Sequence, residues 1–248
     1  MPSRRKRESP FEKARSLEEG YAVDLRKIAR EVGRIIDSYP PGDPFSVPLI
    51  NEALRRYTEI LDPWAKARAD LIVQQINHQD ARAWQQATAE MSTALRRQVY
   101  HTPVGALMYD LRVEQIGLIK SLPLEAGARV QRLSEEAIVS GTRSKDFIEE
   151  IMRSGEVSRA RATTIARTEV SRMASTLTES RARHIESEGY IWRTSRDADV
   201  RPSHRAMEGK YVPWNKPPTT DGLVGHAGCV PNCRCYPEPL IPDRLENN

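Results

Sequence analysis

No stretch of this chain approaches the roughly 20 consecutive apolar residues that a membrane-crossing helix needs, which rules out a spanning helix, and no membrane partner is expected. Aromatic residues are scarce: they make up 6% of 248 residues, with three Phe and four Trp. The apolar fraction, 39%, lies below the globular norm, and the mean hydropathy is −0.60. A thin core and an extended shape are therefore expected. Cysteine is rarer still. Three cysteines, all close to one another, cannot staple the whole chain, so a disulfide-framework fold is excluded. The opening MPSRRKRESP is charged and no apolar run follows it, so a secretory signal is not expected. There is no GxGxxG, no Walker sequence, no HExxH and no GxSxG, which removes the common nucleotide-binding and hydrolase signatures. Internal repeats and long low-complexity tracts are also lacking. Excess charge is small: 38 Lys and Arg against 34 Asp and Glu give +4, which allows a polyanionic partner without demanding one.

Helical periodicity dominates what is there. From Phe11 to Asp37, the residues Leu17, Tyr21, Leu25, Ile28, Val32 and Ile35 recur every three or four positions, one stripe of a helix. SYPPGDPFSVP, with four prolines and a glycine, predicts a loop or hinge. A helix is expected from Val47 to Leu61 and a longer one from Pro63 to about Tyr100, with Leu71, Ile72, Ile76, Trp84 and Met91 on its apolar side. After His101-Thr102-Pro103 the signal resumes through Leu107, Leu111, Ile116 and Ile119, and Ser121-Leu122-Pro123 should stop it. Leu124 to Ser140 reads as a short helix ended by Gly141-Thr142, and Ser144 as the N-cap of a helix from Lys145 to Arg153. Ser158 is expected to cap a helix running to about Glu188, with Gly189 as its stop. Tyr190 to Thr194 then reads as a β-strand, followed by a stretch rich in Pro, Gly, Asp and Asn.

The fold class expected is mainly α: an elongated helical N-terminal body with a small loop-rich α+β C-terminal domain. The organisation is a basic flexible tail at 1–15, a helical body at 16–157, a C-terminal domain at 158–240 and a flexible tail at 241–248. The stripes at Leu17 to Ile35 and Leu71 to Met91 are long for a chain with so few bulky core residues. They are therefore expected to bury themselves partly against a partner.

Chemistry-bearing residues gather near the C-terminal end. Cys229, Cys233 and Cys235 are spaced C-x3-C-x-C; His226 lies three residues before the first, and His204 further upstream. Cys thiolates and His nitrogens are the ligands of tetrahedral zinc, and a loop-rich segment gains folding free energy from a metal that its core cannot supply. Reduced, packed cysteines and a disulfide are the alternatives. Asp197 and Arg201 stand four apart and could pair, and a nearby carboxylate could orient His204. Arg167, Thr168 and Glu169 form a polar interruption that could dock their helix onto the C-terminal domain. Arg4, Arg5, Lys6 and Arg7 could contact nucleic-acid phosphates, which require only a flexible cluster of cations.

Several of these residues recur in a fixed order. ARTEV (Ala166 to Val170) is followed by Gly189 and Trp192, then by Asp197, Arg201 and His204, then by Glu208-Gly209-Lys210, and finally by Asn232-Cys233-Arg234-Cys235. The ordered set resembles the phage head morphogenesis domain of the Mu F-like minor head protein family, over roughly residues 120–240 and most strongly over 160–236. The resemblance implies a structural and assembly component of tailed-phage procapsids and virions. Such a protein is made in the host cytoplasm and held inside the head near the portal. The portal is its implied partner, with scaffold, major capsid protein and packaged DNA as further ones. No established catalytic activity is implied, so no catalytic residues are assigned. With the sequence closing soon after Cys235, an appended toxin or nuclease domain is not expected. Cys229 and His226 extend the usual terminal Cys-Arg-Cys, and Glu208-Gly209 stands where the family often has Asp-Gly. The alternative function is a metal-dependent nuclease or toxin-like hydrolase using His204, Asp197 and His226.

Overall fold

A computed structural model describes residues 10–41, 43–89, 93–139 and 145–242. The basic cluster Arg4 to Arg7, Met91, the Gly141-Thr142 stop, the Ser144 cap and residues 243–248 lie outside the described residues. The expected fold class is observed: long helices, then short antiparallel strands confined to the C-terminal part. The helices are α1 (Pro10–Asp37), α2 (Ser46–Ala87), α3 (Thr93–Tyr100), α4 (Gly105–Val139), α5 (Lys145–Met152), α6 (Ser154–His184) and the short α7 (Pro202–Arg205). The strands are β1 (Gly189–Arg193), β2 (Tyr211–Pro213), β3 (Thr219–Thr220), β4 (Leu223–Val224) and β5 (Tyr236–Pro239). Among the described residues, no helix is long and apolar enough to cross a membrane.

Two prolines expected to interrupt helices are absorbed instead. Pro63 lies inside the 42-residue α2, and Pro123 inside the 35-residue α4. An interior proline costs about 3 kcal/mol through its missing N–H and its ring clash. Burial offsets that cost: Leu61, Ala65, Ala69 and Ile72 are buried around the first, and Leu122, Ala126 and Val130 around the second. Ser121 Oγ also donates to the Leu118 carbonyl at 2.9 Å. Conversely, the helix expected to run to Tyr100 ends at Ala87, where Thr88 turns its backbone N–H and its hydroxyl back onto the Trp84 carbonyl. Pro48, counted among the breakers, falls in the first turn of α2, where a missing N–H is harmless.

The start and stop of α6 also differ from expectation. Ser158 is not a cap; it is buried within α6 and its hydroxyl donates to the Ser154 carbonyl at 2.9 Å. The helix ends at His184, and its left-handed closing residue is Glu186 (φ 60°), with Ser187 N–H returning to the Ala182 carbonyl at 3.0 Å. Gly189 has a different reason to be glycine. As the first residue of β1 it sits so close to β2 that a Cβ would lie 2.5 Å from the Val212 carbonyl oxygen.

The described chain divides into two compact units. One comprises residues 20–71 and 112–166; the other comprises 1–19, 72–111 and 167–248. The unit of 20–71 and 112–166 is all helical. From α1 it buries Tyr21, Leu25, Ile28, Val32 and Ile36, a stripe that at roughly 1.5–3 kcal/mol per large apolar side chain is a main source of its stability. Tyr21 Oη donates to Gln115 Oε1 at 3.1 Å inside this core. α1 and α6 meet at glycines: a Cβ on Gly155 would lie 2.9 Å from the Gly33 Cα. Of the two expected stripes, Tyr21, Leu25, Ile28, Val32, Ile72, Ile76 and Trp84 are buried within the chain, Leu17 and Ile35 are half-buried, and Leu71 is exposed.

In the other unit, a three-stranded antiparallel sheet has the order β2-β1-β5, with Tyr190 opposite Val212 on one side and Pro239 on the other. Its prolines, Pro213, Pro237 and Pro239, all lie on edge strands, where a missing N–H breaks no central ladder. β3 and β4 form a hairpin whose turn, Asp221-Gly222, has both residues at positive φ (52° and 76°). The apolar core combines Trp84, Leu95 and Val99 with Ala182, Ile185, Tyr190, Trp192, Val212, Trp214 and the Cys233–Cys235 segment.

Candidate metal centre

α7, the β3–β4 hairpin and the segment leading into β5 converge on one buried point. Pro202 starts α7, whose single turn delivers His204 into the interior, 2% exposed. Cys233 and Cys235 arrive from the other side, Cys233 just after Asn232, which is held in the left-handed region (φ 57°). His204 Nδ1 stands 3.4 Å from Cys233 Sγ and 3.5 Å from Cys235 Sγ. One donor atom from each of the three residues lies within 4.8 Å of the others. The far ring nitrogen, Nε2, faces Thr220 Oγ1 at 3.2 Å and Asp221 Oδ2 at 3.7 Å. Nε2 thus carries the proton and Nδ1 turns its lone pair toward the sulfurs, the tautomer in which an imidazole can act as a ligand.

The two thiols do not behave alike. Cys235 donates to Cys233, and the Cys235 and Gly228 backbone N–H groups and nearby His204 add to that support, so the Cys233 thiol is pulled down to about 6 although burial opposes it. The Cys235 thiol is pushed up, first by that bond to Cys233 and then by burial. The indole N–H of buried Trp192 has no hydrogen-bond partner among the described residues, and the Trp192 side chain favours the thiolate form of Cys235. Two cysteine sulfurs beside an imidazole nitrogen are the donor set of a soft or borderline cation.

Of the five expected ligands, the structure brings together His204, Cys233 and Cys235. His226 and Cys229 stand apart. His226 Nδ1 accepts from Tyr190 Oη at 3.2 Å and Nε2 donates to the Trp214 carbonyl at 3.2 Å, while the same Tyr190 oxygen accepts the Ala227 N–H. His226 is thereby a bridge in the core, and burial holds its pKa below the ordinary imidazole value. Cys229, its thiol pushed up to about 12 by burial, stays protonated.

Charged side chains hold this centre in place. Asp197 and Arg201 do not pair with each other. Asp197 accepts from Arg234 at 2.9 Å, whereas Arg201 reaches Asp221 at 3.3 Å and also donates to the Pro231 carbonyl. Arg234, the residue between the two cysteines, is therefore clamped onto the loop of Asp197. Within the ARTEV segment it is Thr168 that reaches the Asn-Cys-Arg-Cys segment, while Glu169 pairs within α6. Thr168 Oγ1 accepts the Asn232 N–H at 3.0 Å, Arg167 pairs with Glu18 at 3.3 Å and Glu169 pairs with Arg172 at 2.6 Å. Ser175, one turn further along α6, donates to the Ala227 carbonyl at 2.7 Å. Sequence reasoning missed Thr220, Asp221 and Arg234. The Asp221-Gly222 dipeptide was the available signal, since it marks a two-residue hairpin turn next to the histidine's partners.

A small cavity of about 110 Å³ opens beside the centre, lined by His204, Cys233 and Cys235 together with Asp197, Arg201 and Arg234 among others.

Comparison with known proteins places the C-terminal part. Residues 128–237 match the family described as Phage Mu protein F like protein. An uncharacterized protein of Haemophilus influenzae (strain ATCC 51907 / DSM 11121 / KW20 / Rd) is 31% identical over 169 residues, covering 64% of this chain and 36% of that protein. The chain thus spans about a third of the length of that relative. No solved structure matches.

Proposed function

We propose, from the premise that residues 128–237 belong to the Phage Mu protein F-like family, that this chain is a minor head protein of a tailed phage with a structural and assembly role. It acts in the procapsid and virion, inside the head near the portal, after synthesis in the host cytoplasm. The family match is the observation that carries the reading. The internal construction of the domain is consistent with it: the recurring residues of the ordered motif act on one another, pinning α6, the hairpin and the Cys-Arg-Cys segment together.

The portal is the proposed partner, and α2 offers it a surface. Leu49, Ile60, Trp64 and Leu71 are 56%, 75%, 38% and 45% exposed. Their spacings of 11, 4 and 7 place them along one side of the helix. An exposed apolar row on a charged chain marks an interaction face. Arg4 to Arg7 supply a second contact, to packaged DNA. Purified full-length protein mixed with assembled portal rings of the same phage should comigrate with them, and Leu49→Ser with Ile60→Ser should weaken that binding at least tenfold. Undiminished binding by the double variant would remove α2 from the interface, and absence of binding by the parent would refute the portal as partner.

The alternative hydrolase reading draws little from the arrangement. Asp197 is neutralised by Arg234, and His226 is engaged by Tyr190 and Trp214 away from His204. A nuclease assay on the parent and on His204→Ala separates the readings, since metal-dependent cleavage lost in the variant would favour the enzyme.

A further inference from the structure

We infer that His204, Cys233 and Cys235 form a three-ligand zinc site whose fourth position opens into the small cavity beside them and is filled by water. The ligand set is His204 Nδ1 and the two sulfurs; Cys229 and His226 are outside it.

The spacing fits the ion. Zinc binds thiolate sulfur at about 2.3 Å and imidazole nitrogen at about 2.0–2.1 Å in tetrahedral geometry, which requires S···N edges of about 3.6 Å. The two observed S···N edges are 3.4 and 3.5 Å, close to those a tetrahedral zinc requires, and all three donor atoms lie within 4.8 Å of one another. Burial selects a cation of this kind. All three ligands are less than 5% exposed, and no carboxylate belongs to the group, which disfavours magnesium and calcium.

The surroundings are built as a metal site's are. Thr220 Oγ1, itself buried, lies within hydrogen-bond distance of His204 Nε2 at 3.2 Å, which fixes the ring with Nδ1 toward the sulfurs. The Cys235 N–H points at Cys233 Sγ at 3.4 Å, and the buried Trp192 N–H, otherwise without a partner among the described residues, is available to the sulfur pair. N–H groups aimed at sulfur stabilise thiolates, not thiols.

All three ligands line the cavity of about 110 Å³, so the position that three protein donors leave open faces into it. That volume holds a few water molecules. The ion would tie α7 to the segment entering β5, two pieces about thirty residues apart in sequence, and so would add folding free energy to this unit.

The test is metal content and ligand identity on the untagged full chain. After dialysis against zinc and then against buffer, elemental analysis should give one zinc per chain. Cobalt-loaded protein should show the charge-transfer absorption of thiolate ligation and the visible bands of a tetrahedral ion. Cys233→Ser and Cys235→Ser should lose the zinc, Cys229→Ala should keep it, and Thr220→Val should bind about tenfold more weakly, as loss of a partner to a ligating histidine does. Should the cysteine variants fail to fold, the parent's zinc count and cobalt spectrum still decide. No zinc in the parent, a Cys233–Cys235 disulfide in its peptide map, or zinc lost on Cys229→Ala would each overturn the inference. None of these results bears on the proposed head role, which stands or falls on assembly experiments.

Discussion

Replacing Arg181 with methionine isolates the most buried ion pair of the described chain. Arg181 on α6 meets Asp80 on α2 through Nη1, and its Nη2 donates to Asn77 Oδ1 at 2.6 Å. Thr178 Oγ1 donates to the other Asp80 oxygen. The two charged side chains are only 6% and 8% exposed. Methionine keeps much of the arginine stem's volume but leaves the carboxyl without its cation. Stranding one member of a buried pair costs about 3–5 kcal/mol. Against the usual 5–15 kcal/mol of a whole domain, that is a large fraction. The pH dependence sharpens the test. Burial already raises the Asp80 pKa from 3.8 to about 6, with Arg181 and Thr178 opposing. A carboxyl raised in this way contributes stability that is fully present below about pH 4 and is lost as pH rises through about 6. Without Arg181 the shift grows, so the variant should recover more than the parent on acidification, and its deficit should shrink by about 1 kcal/mol between pH 7 and pH 5. Urea unfolding followed by tryptophan fluorescence reports the relevant unit, because Trp84, Trp192 and Trp214 are all in its core. A deficit under 1 kcal/mol at pH 7, or one that is the same at both pH values, would refute this reasoning.

Other substitutions discriminate between steric and conformational causes. Gly228 has φ 83°, and a Cβ there would sit 2.3 Å from Ser175 Oγ and 2.8 Å from the Cys235 carbonyl oxygen. Gly228→Ala should therefore destabilise by well over 2 kcal/mol in thermal melts, whereas Gly209→Ala, at φ 76° with nothing nearby, should cost only about 1–2 kcal/mol from backbone strain; equal losses would contradict the packing explanation. Gly155→Ala should loosen the helical unit by forcing α6 off Gly33 of α1, which hydrogen exchange on α1 amides would detect. Deleting residues 1–8 should weaken binding to DNA of any sequence and flatten its salt dependence; an unchanged binding curve would leave that cluster without a role in DNA contact.

Periodicity made the helices legible wherever one face was buried. The stripe from Tyr21 to Val32 and the strand at Tyr190 follow their patterns closely, because a single energetic demand, burial of one side, wrote them; at the end of the stripe Ile36 is buried and the expected Ile35 only half-buried. Boundaries were less legible where tertiary packing overrides local preference. Pro63 and Pro123 carry the strongest local signal for a break, yet the apolar residues on either side remain buried in continuous helices. Gly189 looked like a helix stop and is instead a close-approach residue between strands, a demand that arises only once β2 is beside it. The centre divides in the same way. Residue types narrowed it to five candidates, but the separation of His226 from the other histidine depends on Tyr190 and Trp214, neither of which spacing could connect to it. Arg234, hidden between two cysteines, takes the role expected of Arg201 in pairing with Asp197 because chain reversal at Asn232 brings it to that loop.

Mass spectrometry of purified procapsids and DNA-filled heads, from particles produced with the gene for this chain, tests the proposed role most directly. The head reading predicts the full-length chain in both particles at a reproducible number of copies far below that of the major capsid protein. It also predicts loss of the chain from particles assembled without portal. A chain absent from both particles and found only in the infected-cell extract would contradict it.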